Sequence, residues 1–245
     1  SPIASDSRRP PCPPPRLPRR TLGGQGMSRG RRVIITIDGP SGVGKSTVAR
    51  LLAKRLGLVY LDTGATYRAL AYAALLRGID PHDEPRLVRL ARSVLILLRQ
   101  SPVGTLKVLL NGRDVTRQIR TEQVTEAAAA IAQHPRVRAE LVRLQRKLAG
   151  LQRVVVEGRD TGSVVFPHAP YKFFLTAATR VRAHRRRMEL QHLHGRPPSL
   201  AVVARQLRQR DQLDRRRLVG PLVRPAKAIV VDPSRLPAEA VVKRM

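Results

Sequence analysis

The chain has 245 residues, with 47 Lys and Arg against 17 Asp and Glu. Its formal charge is +30, yet 42% of it is hydrophobic, which excludes a disordered polycation and permits a full core in one or two domains. One cysteine, Cys12, excludes an intramolecular disulfide framework and a cysteine-rich zinc site, and no run approaches the roughly 18 apolar residues of a membrane span.

Residues 1–32 form the first segment, with Pro clusters, Gly pairs and few large apolar side chains. Such a stretch buries too little surface to fold, so it reads as a disordered basic tail. It holds eight Arg and one Asp, +7 of the +30. Met27 is read as the start of translation, with the preceding residues as upstream sequence. The folded body is expected over 33–245.

From Val33 the pattern becomes regular. Val33–Ile37 is a short β-branched run and predicts a buried strand. A Gly-rich turn follows, then Ala49, Leu52, Ala53 and Leu56 at helical spacing, with Gly57 as the stop. Leu58–Leu61 predicts a second strand, and Thr66–Arg77 a helix ended by Gly78. This strand–helix–strand order predicts parallel strands and an α/β fold. The stretch 80–118 reads as a small antiparallel insert, with strands at Val94–Leu98 and Leu106–Leu110 and a tight turn at Asn111-Gly112. Helices are expected over 121–133 and 135–149, divided before Pro135. Further strands are expected at Val154–Glu157, Lys172–Leu175 and Ala228–Val231. Two Arg-rich helices lie between the last two, split near Gly195-Arg196-Pro197-Pro198.

The decisive motif is Gly39-Pro40-Ser41-Gly42-Val43-Gly44-Lys45-Ser46-Thr47. It satisfies G-x-x-x-x-G-K-[ST] and sits between a strand and a helix, the context the motif requires. Its glycines let backbone N–H groups turn inward around phosphate oxygens, and the helix start adds a favourable dipole. Lys45 is expected to reach the β- and γ-phosphates, and the Ser46 hydroxyl to bind Mg²⁺. The only Asn, Asn111, is followed by Gly, so the Asn-Lys-x-Asp base reader of a GTPase is missing. A small phosphotransferase fits length and motif better than a large motor.

Further markers follow in order: Leu61-Asp62-Thr63-Gly64-Ala65-Thr66-Tyr67-Arg68, Ile119-Arg120-Thr121, Pro135-Arg136-Val137-Arg138, Glu157-Gly158-Arg159-Asp160-Thr161-Gly162, Arg182-Ala183-His184-Arg185-Arg186, and Arg210-Asp211 through Asp214 to Arg217. With the P-loop they make the chain, from about Arg32 onward, resemble the bacterial cytidylate kinases, the (d)CMP kinase branch of the nucleoside monophosphate kinases. The resemblance implies a five-stranded parallel sheet flanked by helices, a CMP-side insert at 80–118 and a helical lid at about 180–200. It implies transfer of phosphate from ATP to CMP or dCMP with Mg²⁺, in a cytoplasmic monomer, with no membrane or nucleic-acid partner.

By the same resemblance, Arg68 and Arg159 hold the CMP phosphate. Arg138 and Asp160 read the cytosine, joined by Arg217, with Thr63 near the base. Arg210 and Asp214 contact the sugar, Tyr67 lines the CMP site, and Arg185 closes over the ATP phosphates. Lys45, Arg159 and Arg185 are the expected catalytic groups. These types suit the chemistry, because guanidinium binds phosphate bidentately and keeps its charge. Asp160 has an alternative as a cap, Asp214 as a helix-surface partner of Arg210 or Arg217, and Tyr67 as core packing. Two positions depart from the family: Ala129 stands where Ser is common, and Glu157 where Asp is. Two other readings compete: a P-loop kinase for another small acceptor, and a basic nucleic-acid-binding P-loop protein. Aromatics at 3% with no Trp disfavour the latter, since no stacking platform can be built from them.

Overall fold

Every side chain of the first strand, β1 (Ile34–Asp38), is buried. A β-branched run does this when helices cover both faces of a parallel sheet. In the computed structural model, which describes residues 33–100, 105–150, 152–195 and 197–245, β1 is the central strand. Its companions are β2 (Val59–Asp62), β6 (Val154–Gly158), β7 (Tyr171–Leu175) and β8 (Ile229–Val231). All pair in parallel, in the order β2-β6-β1-β7-β8. The expected tail 1–32 and its Met27 start lie outside the described residues.

Alternation along the strands builds two cores. Ile35, Ile37, Val155 and Phe173 pack with Val48, Ala49 and Leu52 of α1 (Lys45–Leu56) and Val241 of α8 (Ala238–Lys243). Ile34, Leu61, Val154 and Val156 pack with Val142 and Ala149 of α5 (Pro135–Ala149). From β1 the chain runs through α1 to β2 at one edge, whereas β7 and β8 lie on the other side. The carboxyl end of β1 is therefore a switch point, where open parallel sheets place their ligands.

Caps explain where the helices begin. α1 starts at Lys45, directly after Gly44 with φ 97°, a conformation that favours glycine. α2 (Thr63–Leu76) starts at Thr63 rather than Thr66, because the Asp62 carboxylate accepts the Ala65 N–H at 3.0 Å. α5 starts at Pro135, as Pro at the first helical position favours.

The stretch 80–118 differs from the expected antiparallel piece, because it opens with a helix, α3 (Glu84–Ser93). Asp83 caps it, Pro85 sits in its first turn, and Leu87, Val88 and Leu90 are buried. That cap and spacing are an ordinary helix signal, overshadowed in the sequence by the strands that follow. Those strands form a three-stranded antiparallel sheet of β3 (Ile96–Gln100), β4 (Leu106–Leu110) and β5 (Arg113–Asp114). Asn111 and Gly112, at φ 49° and 84°, make the expected turn. The insert shares a core with α2 and with α4 (Glu122–Ile131). On the far side of the site, α6 (Thr179–His194) and α7 (Leu200–Arg216) pack through Ala183, Val203 and Leu207. The residues expected to form a lid, about 180–200, fall largely on α6 and reach the first residue of α7.

Candidate active site

The Gly39–Thr47 loop leaves the carboxyl end of β1 and runs into α1. A Cβ on Gly39 would overlap the Leu175 carbonyl of β7, so only glycine lets the loop pass that strand. Lys45 is buried and donates from Nζ to the Pro40 carbonyl at 2.7 Å, bridging the loop. Burial pulls its pKa down from 10.5 to about 7, and the positive Arg159 acts in the same direction. Ser46 and Thr47 are exposed at the start of α1, and backbone N–H groups there are unclaimed by the helix.

The carboxyl end of β6 supplies the other half of the site. Asp38, the last residue of β1, has no exposed surface. Its carboxylate accepts the Thr161 N–H and hydroxyl, both at 2.8 Å, and the Gly162 N–H at 2.7 Å. Burial pushes Asp38 up to about 6 in spite of those bonds. This grip starts a π-helical turn, Thr161–Val165, and so fixes the Arg159-Asp160 pair just before it. The sequence by itself gives Asp38 no role. Its signal there is a lone carboxylate closing an apolar strand, which must find partners if buried.

Arg159 donates from Nε to Asp214 Oδ2 at 2.8 Å. Arg217 bonds the other Asp214 oxygen, and Arg210 Nε lies 3.6 Å from it. Asp214 is buried, so it is the shared counter-ion of three guanidinium groups rather than a helix-surface partner. Burial pulls Arg217 down to about 9, with Arg138 and Arg159 adding repulsion. Burial likewise pulls Arg210 down to about 10, aided by Arg159 and Arg68. The cations that the sequence assigned to the acceptor nucleotide therefore feel one another at one end of the sheet.

Arg138 and Asp160 are both buried and paired directly, so Asp160 binds Arg138 instead of capping the turn. The Arg138 guanidinium lies 5.6 Å from the Tyr67 ring centre, within cation–π range. Tyr67 also packs against the insert core, as its core-packing reading expects. Arg68 reaches back along α2 to Asp62 at 2.7 Å. Buried donors without a hydrogen-bond partner, among the described residues, are Nε of Arg68, Arg138, Arg210 and Arg217. All four belong to the group assigned to CMP, and a buried N–H normally finds a partner.

Two expected residues are engaged differently. The Thr63 hydroxyl donates to the Glu157 carbonyl at 2.7 Å, so only its lone pairs remain for a ligand. Arg185 donates to the carbonyls of Val43 at 3.3 Å and Pro233 at 2.6 Å, holding the P-loop from outside. Glu157 accepts from the Tyr60 and Ser46 hydroxyls. Burial pushes its pKa up, reinforced by the nearby Asp62. Ala129 sits half-buried on α4 and offers no side-chain hydroxyl. Arg182 and Asp211 stand in the sequence markers without a role, and they form a buried ion pair at 2.7 Å that touches the P-loop.

A family model described as cytidylate kinase matches residues 35–245. A cytidylate kinase of Pelotomaculum thermopropionicum is 48% identical over 209 residues, spanning 85% of this chain and 92% of that protein. One from Geobacillus kaustophilus is 47% identical over 215 residues, spanning 88% and 95%. Among solved structures, a shikimate kinase from Bacteroides thetaiotaomicron covers 86% of this chain and 95% of its own, at 14% identity and a TM-score of 0.43.

Proposed function

The chain belongs to the cytidylate kinase family, and from that premise we propose that it phosphorylates CMP and dCMP to CDP and dCDP with ATP, holding each nucleotide through the residues described above. The P-loop takes the ATP phosphates. Arg68 and Arg159 take the phosphate of the acceptor, Arg138, Asp160 and Arg217 its base, and Arg210 and Asp214 its sugar. What supports this assignment is the set of four buried guanidinium Nε–H groups without a hydrogen bond, all on residues assigned to the acceptor.

An acceptor phosphate oxygen attacks the γ-phosphorus, a new P–O bond forms, and the bond to the β-phosphate oxygen breaks as ADP leaves. No side-chain base is needed, because the acceptor phosphate is already ionised at neutral pH. The protein's task is positioning and charge neutralisation. Lys45 and Arg159 face the transferring group from its two sides. Guanidinium N–H groups held by Asp214 need no reorganisation when negative charge shifts.

Mg²⁺ suits the donor set beside the P-loop. A nucleotide-bound Mg²⁺ takes one or two protein oxygens, with phosphates and water completing the shell. The exposed Ser46 hydroxyl, next to the Glu157 carboxylate, supplies such a site. The ion would neutralise charge on the β- and γ-phosphates. No helix among the described residues is long and apolar enough to cross a membrane. The proposal, which follows the family resemblance, is of a monomeric, cytoplasmic enzyme acting on small nucleotides.

A coupled ADP-release assay with CMP, dCMP, AMP and UMP tests the reading. Turnover is expected with CMP or dCMP. Its absence, or faster turnover with AMP or UMP, overturns it. Ala129 removes one hydroxyl from the sugar side, so the ratio of CMP to dCMP turnover reports on that position. Arg159→Ala is expected to lower kcat/KM by about 10²–10³-fold, the range for losing one preorganised donor to developing charge. A change below about tenfold would place Arg159 outside the transfer path.

A further inference from the structure

The P-loop is gripped from outside by α6 and α7, through two residues that neither nucleotide site uses. Arg182, near the start of α6, is 4% exposed. Its guanidinium donates to the carbonyls of Ser41 and Ala177 and to the Thr179 hydroxyl, each at 3.0 Å. Asp211 on α7 is 5% exposed and pairs with Arg182 at 2.7 Å. Its second oxygen accepts the Ser41 N–H at 3.4 Å. One turn along α6, Arg185 donates to the Val43 carbonyl at 3.3 Å.

A trans peptide points its C=O and the following N–H to opposite sides. The Ser41 carbonyl faces Arg182, so the Gly42 N–H faces away from α6, toward the hollow of the loop. The Val43 carbonyl faces Arg185, so the Gly44 N–H does the same. On the preceding peptide the directions reverse. The Ser41 N–H faces Asp211, and the Pro40 carbonyl faces Lys45 inside the loop. Successive peptides are thus set from outside by α6 and α7, and the inward N–H groups are those a phosphate needs.

Resting on the reading of this loop as the ATP site, we propose that Arg182, locked by Asp211, is a positioning residue that keeps the phosphate-binding peptides turned inward. It touches neither nucleotide. Its five donors are almost fully spent on protein oxygens, so it has little left for a ligand. Preorganised donors lose no free energy to reorientation when the anion arrives. Loss of the Arg182 bond would let the Ser41 peptide rotate, and that cost would fall chiefly on ATP. The Arg138–Asp160 and Arg159–Asp214 pairs of the acceptor site share no residue with the clamp.

The experiment measures equilibrium binding of a non-hydrolysable ATP analogue, and separately of CMP, to the wild type and to Arg182→Gln, Arg182→Lys and Asp211→Asn. Thermal unfolding is followed in parallel. Arg182→Gln is expected to weaken the ATP analogue tenfold or more while the CMP affinity stays within twofold; Asp211→Asn should weaken the analogue as much and CMP by less, because Asp211 also acts on Arg159 and Arg210. Arg182→Lys retains the charge and one bond to Ser41, so it should recover part of the loss. Unchanged analogue affinity in folded Arg182→Gln overturns the proposal. Equal weakening of both ligands also overturns it, because that marks general destabilisation. Arg182→Lys, which keeps the buried pair, decides the matter if the neutral variants unfold: analogue affinity equal to wild type then counts against the clamp. Analogue binding by the wild type is read independently of turnover, so an inactive wild type with CMP would undo the functional reading without touching this result.

Discussion

Lys45→Ala is expected to lower kcat by about a thousandfold, roughly 4 kcal/mol of transition-state stabilisation, and still to fold. Lys45 bridges the P-loop and is the one cation buried inside it. The same burial makes it costly to the empty enzyme. Its pKa falls from 10.5 in the free residue to about 7 in the fold, so between those values the unfolded chain binds more protons than the folded one. Stability then rises with pH across that window, and below it the folded chain carries an unfavourable buried ammonium. Lys45→Met keeps most of the volume and removes the charge. It should be at least as stable as the wild type at pH 7 without nucleotide, and the gap should close toward pH 10. Denaturant unfolding at several pH values, beside kcat at pH 7.5, tests both halves. Wild-type-like kcat would remove Lys45 from the transfer step. A large loss of stability in Lys45→Met at pH 7 would contradict the cost of its burial.

Asp214→Asn is expected to be the most damaging substitution to the fold. Asp214 is 1% exposed and is the shared partner of Arg159, Arg210 and Arg217. Removing one member of a buried ion pair costs about 3–5 kcal/mol, because the remaining charge is stranded. Here three guanidinium groups lose their counter-ion together, and two of them already repel Arg159. The unfolding free energy should fall by at least that range, and activity should fall with it as Arg159 loses its anchor. A variant within about 1 kcal/mol of wild type would show that the arginines find other partners.

The phosphate loop was readable outright, since a complete motif between a strand and a helix has little other physical meaning. The five parallel strands were readable too, because each is a short run of β-branched and aromatic side chains, buried throughout in β1 and β6 and partly exposed in β2, β7 and β8. The helix at Glu84–Ser93 was passed over although Asp83 and the Leu87–Leu90 spacing signal it. A π-helical turn after Arg159 has no short-range signature. It exists because Asp38, more than a hundred residues earlier, holds two of its amides.

The large positive charge divides along the same line. The P-loop in its strand–helix setting pointed to a phosphotransferase, and the ordered motifs, through their resemblance to the cytidylate kinases, implied arginines at an acceptor site, a residue type that suits phosphate. Which arginines share a counter-ion, which stack, and which merely hold the P-loop in shape was decided by tertiary structure. Arg159 and Asp214 lie 55 residues apart, and Arg182 and Ser41 lie 141 apart. An ion pair depends on distance in space and on burial, and neither is written in the spacing along the chain.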